Sequence, residues 1–346
     1  MSANLFPTPS KWRFHFKSRG LDEETISTYL TYLRPLYKKG VPVIFTREHL
    51  AKLLGRTESF VAAASLRPRY FYRSFEIPKR SGKKRLISAP FASLLSCQRW
   101  INNQILSKLP IHEAASGYVH GKSIIDHAQP HLGDKEVLTL DLKDFFPSIS
   151  LARVIALFRD VGYTHSISLT LAKLCCLDNC LPQGAPTSPA LSNIICCRLD
   201  DRISVLCKKL NVSYSRYADD LCFSANTLPR SFPRMIGNLV KSEGFLINNQ
   251  KTRKYERNNT LKRVTGLNVA FDDLRLPKKF KRQISLDLHH IEAHGLLSHL
   301  AKRKIHDPSY LSRLLGKVVY WLHIEPENEK AESYKRILLG HISLQS

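Results

Sequence analysis

Two short acidic clusters interrupt a strongly basic chain, and they are the residues best suited to chemistry. The first, Leu140-Asp141-Leu142-Lys143-Asp144-Phe145-Phe146, closes an apolar run that begins at Glu136. The second, Tyr217-Ala218-Asp219-Asp220, lies 78 residues further on. Neighbouring aspartates in a tight turn repel each other, so such a turn is costly unless a cation sits there. A lone Asp-Asp pair would be an ordinary Asx-rich surface turn. Two acidic clusters together suit metal-assisted phosphoryl chemistry. Two hard cations roughly 3.5–4 Å apart can activate an attacking oxygen and stabilise a departing phosphate group. Mg²⁺ needs only one or two carboxylates besides substrate phosphates, so few protein ligands suffice.

Both clusters require elements that hold them still. Glu136 to Leu142 reads as a short strand ending in acid, and Val212 to Phe223 as strand, turn, strand around Ala218-Asp219-Asp220. Between them, Ser188-Pro189 reads as an N-cap followed by proline at the first helical position. Leu191, Ile195, Leu199, Ile203 and Leu206 then recur at helical spacing. Phe71, Arg73, Phe75 and Ile77 alternate with their neighbours, Ser81-Gly82 supplies a turn, and Arg85-Leu86-Ile87 resumes. That is a hairpin with a basic tip. Residues 93–109 return to helical spacing. Residues 1–65 read as helical, with starts at Leu21-Asp22-Glu23-Glu24 and Thr46-Arg47-Glu48-His49. From Pro277 onward the chain is helical and basic, as a C-terminal unit. The class is α+β.

At 346 residues the chain can hold two or three subdomains, and 43% hydrophobic residues make disorder an unnecessary assumption. Lys and Arg total 53 against 29 Asp and Glu, a net charge of +24 that favours a polyanionic partner. The charge is clustered: residues 67–85 carry eight basic residues and one acid, and residues 251–282 carry eleven and three. No run of 18 apolar residues suggests a membrane span, and no charged segment followed by an apolar one opens the chain as a secretory signal would. The eight cysteines, Cys175 and Cys180 included, read as buried thiols in a reducing cytoplasm rather than as disulfides or a metal site.

Tyr217-Ala218-Asp219-Asp220 in a strand–turn–strand setting resembles the catalytic hairpin of reverse transcriptases. Asp141 to Ile149, reading Asp-Leu-Lys-Asp-Phe-Phe-Pro-Ser-Ile, resembles their first catalytic motif. Leu181-Pro182-Gln183-Gly184-Ala185-Pro186-Thr187-Ser188-Pro189 resembles the segment that shapes the nucleotide and template site. The resemblance runs from about residue 65 to 270 and implies a right-hand polymerase architecture. Residues 66–92 and 149–186 would be fingers, 93–148 and 187–272 palm with an antiparallel sheet, and 273–346 a helical, RNA-binding thumb behind the N-terminal helical region 1–65. It implies that Asp141, Asp219 and Asp220 are catalytic and, with the Leu142 carbonyl, hold two Mg²⁺ ions, Mn²⁺ being a possible substitute. Lys83 and Arg85 would grip the triphosphate of a deoxynucleotide (dNTP). Phe146 would obstruct a 2′-hydroxyl, Gln183 and Gly184 would line the nucleotide pocket, and Lys251 would protonate pyrophosphate or contact phosphate.

Val264-Thr265-Gly266 matches a segment typical of the retron branch. An upstream signature, Asn-Ala-x-x-His, is met here by His127-Ala128-Gln129-Pro130-His131, with His127 in place of Asn. Retron membership implies copying of a structured non-coding RNA from a guanosine 2′-hydroxyl into branched multicopy DNA, in antiphage defence with a separate effector and a host ribonuclease H. His131, Val264, Thr265, Gly266, Lys278 and Lys279 would then contact RNA. Two alternatives remain open: another bacterial reverse transcriptase of the diversity-generating or abortive-infection type, and a non-catalytic RNA-binding scaffold.

Overall fold

A computed structural model describes residues 7–343 apart from 79–81, 83 and 134. Four helices come first: α1 (Pro9–Ser18), α2 (Glu23–Lys38), α3 (Arg47–Leu53) and α4 (Glu58–Leu66). Asp22 caps α2 by accepting from the Thr25 N–H at 2.8 Å, and Thr46 caps α3 by accepting from His49 at 3.1 Å, as the sequence predicts. The hairpin of β1 (Tyr72–Pro78) and β2 (Lys84–Pro90) follows, then α5 (Ala92–Gln104), the short α6 (Ile124–Ala128) and β3 (Glu136–Asp141). Helices α7 (Leu151–Val161), α8 (His165–Cys175) and α9 (Ser188–Lys209) lead to β4 (Ser213–Tyr217) and β5 (Asp220–Ala225). After α10 (Phe232–Ser242) come β6 (Arg253–Tyr255) and the small hairpin β7 (Arg263–Val264) and β8 (Leu267–Asn268). Four helices close the chain: α11 (Lys278–His294), α12 (Leu296–Arg303), α13 (Tyr310–Ile324) and α14 (Glu329–Ser343).

The central sheet has the order β4-β5-β3-β6, with every pairing antiparallel. Its two faces serve two cores, because successive strand residues point to opposite sides. Leu138 and Leu140 of β3 face a large core shared with α7–α10 and the N-terminal helices, whereas Val137 and Cys222 face a second core with Val264, Leu267 and the C-terminal helices. This is the α+β class that the sequence predicts. The N-terminal helices are part of the main core: the Tyr163 hydroxyl donates to the Pro42 carbonyl at 2.8 Å, and Lys39 Nζ to the Asp160 carbonyl at 2.6 Å. The C-terminal helices share their core with Val137 and Cys222 of the central sheet.

One expected detail is corrected. Thr187, not Ser188, precedes the first turn of α9, and it makes no side-chain cap. Ser188 is buried, and its hydroxyl donates inward to the Pro182 carbonyl at 2.7 Å. A buried hydroxyl needs a partner more than a helix end next to proline needs a cap. All eight cysteines are free, six of them buried.

Candidate active site

The sheet register brings the two acidic clusters together. β3 and β5 end side by side, with Asp141 opposite Asp220, and the Leu142 N–H donates to the Asp219 carbonyl at 2.9 Å. Ala218 takes a left-handed conformation (φ +57°) that reverses the chain between β4 and β5. Asp219 and Asp220 are therefore half-buried at a hairpin tip, and Asp141 is buried beside them. Burial, followed by the charge of Asp141, raises the pKa of Asp219. Burial, then Asp219 and Asp141, pushes Asp220 up to about 7. Asp219 and Asp220, beside Asp141, bring together carboxylate oxygens of the hard type a divalent cation takes. Among the described residues no three His, Cys, Asp or Glu side chains hold a metal-ligating arrangement on their own. Asp141 is engaged instead: Lys251 Nζ lies 2.6 Å from its Oδ2, and Asn248 Nδ2 donates to its Oδ1 at 3.1 Å. The donor set thus fits a cation that completes its shell with substrate phosphates.

Beneath the hairpin lies a second charged group that sequence reading missed. Arg216, Asp200 and Asn193 are all fully buried. Arg216 grips Asp200 through two nitrogens (2.8 and 2.6 Å), and its Nη1 donates to Asn193 Oδ1 at 3.0 Å and to the Ala218 carbonyl at 3.2 Å. The guanidinium therefore supports the left-handed turn from below. Asp200 lies on the helical stripe of α9, where apolar periodicity hides it; only a charged residue among Leu199, Ile203 and Leu206 hinted at it.

Other segments carry the remaining residues that the sequence assigned to the nucleotide. Arg85 projects from β2 and is close enough for its charge to oppose the pKa rise of Asp219. Lys83 lies outside the described residues. Phe146 is half-buried, and Tyr118, which the sequence did not single out, faces it at 6.3 Å between ring centroids. Gln183 accepts from the Ser88 N–H of β2 at 2.8 Å. At Gly184 (φ +123°) a Cβ would come within 2.9 Å of Ile87 and the Ser88 carbonyl, so glycine lets this segment dock on the hairpin.

The residues expected to touch RNA divide in two. His131 is fully buried, with Nδ1 hydrogen-bonded to Ser224 at 2.7 Å and Nε2 to Ser215 at 2.8 Å, so a direct RNA contact is ruled out for this side chain. His127 bonds the same Ser215 at 2.7 Å. The His-Ala-x-x-His signature therefore clamps β4 to β5 from behind. Burial holds both imidazoles neutral, each pKa pushed down to about 3. Val264 is likewise core, 1% exposed, which leaves Thr265 (φ +44°) and Gly266 (φ +90°) as the turn of the β7–β8 hairpin. Lys278 and Lys279 are exposed on the first turn of α11 and line a hollow of about 280 Å³ with Arg263 and Arg275.

The chain is similar to known proteins. The family described as reverse transcriptase (RNA-dependent DNA polymerase) matches residues 77–269. The retron Mx65 reverse transcriptase of Myxococcus xanthus is 36% identical over 89% of this chain and 81% of its own length. The retron Ec86 reverse transcriptase of Escherichia coli is 33% identical over 76% of this chain and 83% of its own. No helix among the described residues is long and apolar enough to cross a membrane.

Proposed function

Because the chain belongs to the reverse transcriptase family, as an RNA-directed DNA polymerase of the retron type, we propose that it copies a structured non-coding RNA into branched multicopy single-stranded DNA. Synthesis starts from a guanosine 2′-hydroxyl of that RNA. The observation that carries the catalytic reading is the pairing of Asp141 with Asp220, beside Asp219, on a molecule of net charge +24. Two Mg²⁺ ions, or Mn²⁺ in their place, would supply activation of the attacking oxygen and neutralisation of the departing pyrophosphate, held by Asp141, Asp219, Asp220 and the Leu142 carbonyl.

The chain's own residues do the rest. Arg85 reaches over the acidic centre from the 66–92 finger segment and binds triphosphate, where a planar guanidinium can engage two oxygens. Phe146 closes the space a 2′-hydroxyl would need, and Gln183 and Gly184 border the nucleotide through the β2 contact. Lys251 leaves Asp141 for a phosphate once substrate arrives. Residues 93–148 and 187–272 act as palm. Residues 273–346 act as thumb, where Lys278 and Lys279, with the Thr265-Gly266 turn nearby, track an RNA stem by phosphate contacts that position rather than specify. The product serves antiphage defence in the cytoplasm, with a separate effector protein and a host ribonuclease H that trims the template.

Primer extension on an RNA template with Mg²⁺ tests this reading. Asp219→Asn should lower extension by at least about 100-fold, the scale of losing one preorganised electrostatic contact. Equal extension by wild type and variant sinks the assignment. Sequencing the nucleic acid that copurifies with the protein should recover a branched RNA–DNA molecule; linear RNA alone would remove the retron mechanism and leave the polymerase.

A further inference from the structure

Segment 114–118 is laid against the catalytic hairpin as if it were an extra strand. Arg216 donates its N–H to the Ala114 carbonyl at 2.8 Å, and Ser116 donates to the Arg216 carbonyl at 2.8 Å. Ala115 forms a parallel bridge with Arg216. Gly117 then passes so close to the turn that a Cβ would stand 2.6 Å from the Ala218 backbone nitrogen. Only glycine tolerates that approach. Asn193 Nδ2 locks the passage by donating to the Gly117 carbonyl at 2.8 Å.

The next residue is Tyr118, whose φ of +62° is one a bulky side chain rarely adopts. The residue is nevertheless 52% exposed. Such backbone strain persists only where the surroundings impose it, and it gathers at functional sites. Here the surroundings are the catalytic turn itself, which pins Gly117 and so aims Tyr118. The ring faces Phe146 at 6.3 Å, tilted by 38°. It also lies within electrostatic reach of both Asp219 and Arg85.

We propose that the Tyr118 ring, side by side with Phe146, forms the platform on which the incoming deoxynucleotide rests, and that it sets nucleotide affinity and sugar choice. The role rests on the polymerase reading. Aromatic rings offer an apolar surface at little conformational cost, and every base or sugar presents a face that can lie on them. With Asp219 serving the reacting centre and Arg85 the triphosphate, a nucleotide bound to both lies within reach of this ring. The contact needs the ring and not the hydroxyl.

Single-nucleotide incorporation by the full chain, with an RNA template, a primer and Mg²⁺, provides the test. Tyr118→Ala should raise KM for the deoxynucleotide about tenfold, the scale of losing one aromatic–base contact, with a smaller change in kcat. Its preference for deoxynucleotides over ribonucleotides should fall about fivefold. Tyr118→Phe, which keeps the ring, should restore KM to within about twofold of wild type. Tyr118→Gly separates contact from scaffold: glycine accepts the φ of this position, so Tm should stay at or above wild type while KM rises as in the alanine variant. Wild-type KM and sugar preference in both the glycine and alanine variants would overturn the proposal. Purely additive losses in Phe146→Ala combined with Tyr118→Ala would overturn the shared platform. A wild type that extends no primer would overturn the polymerase reading and this role together.

Discussion

The catalytic hairpin carries opposite electrostatic solutions on its two sides. Below it, Arg216 and Asp200 are completely buried, and each finds its charge and hydrogen-bond partners inside the protein. Above it, Asp141 is paired with Lys251, largely exposed, Arg85 adds its charge near Asp219, and burial with mutual repulsion raises the pKa of Asp220 to about 7. The lower group is neutralised by the fold, whereas the upper one is left with a charge that only something outside the chain can balance. A few residues of β4 therefore separate a structural ion pair from a reactive one. Burial alone does not distinguish them; completeness of compensation does.

The largest effect should come from breaking the lower group. Arg216→Met leaves Asp200 buried without its partner and should cost about 3–5 kcal/mol in urea unfolding. Replacing Asp200 by Leu in the same chain should recover most of that stability, since a buried pair often exchanges for apolar residues at little cost. Polymerisation should stay low in the double variant, because Ala218 has lost the donor beneath its carbonyl. Full activity there would show that the pair supports folding and nothing more.

Relieving the upper group should act in the opposite direction. A carboxylate whose pKa is raised by folding contributes stability that is complete below the ordinary carboxylate range and is lost as pH rises through about 7. With chelator present, Asp220→Asn should therefore raise Tm more at pH 8 than at pH 5, and Mg²⁺ should narrow the gap at pH 8. His127 and His131 act with the other sign: depressed to about 3, they favour the fold above the ordinary imidazole range and lose that effect as pH falls. The difference between variant and wild type isolates the aspartate. An equal gain at both pH values would mean that repulsion in the acidic centre is negligible.

The smallest effect concerns the lysine paired with Asp141. Lys251→Met should tighten apparent Mg²⁺ binding about two- to fivefold, the worth of one largely exposed charge contact, while slowing incorporation. Weaker Mg²⁺ binding would show that Lys251 organises Asp141 instead of competing for it.

Much of this was legible in the chain. Asp141, Asp219 and Asp220 announce themselves because carboxylates at strand ends, in a chain with 53 basic residues, have no apolar role to play. The hairpins, the helix caps at Asp22 and Thr46 and the α+β class follow from local periodicity and turn chemistry, which act over a few residues. What failed was of another kind. His131 was expected at the RNA because it sits in a signature, yet it is interior: the turn that follows α6, Gln129–His131, crosses behind Ser215 and Ser224. Asn193 and Tyr118 escaped notice because neither sits in one of the motifs, and Asn248, though close to Lys251, carries no charge to mark it.

The residue types and their order by themselves determined that this chain bears a divalent-cation chemistry beside a polyanion. Only the tertiary structure decided which charges are answered within the protein. Compensation is a matter of distance, and the partners here, Asp200 with Arg216, Asp141 with Lys251, and Gly117 with Ala218, lie 16 to 110 residues apart along the chain. Local sequence preferences do not reach across such separations; the register of β3 on β5 and the packing of α9 beneath them do.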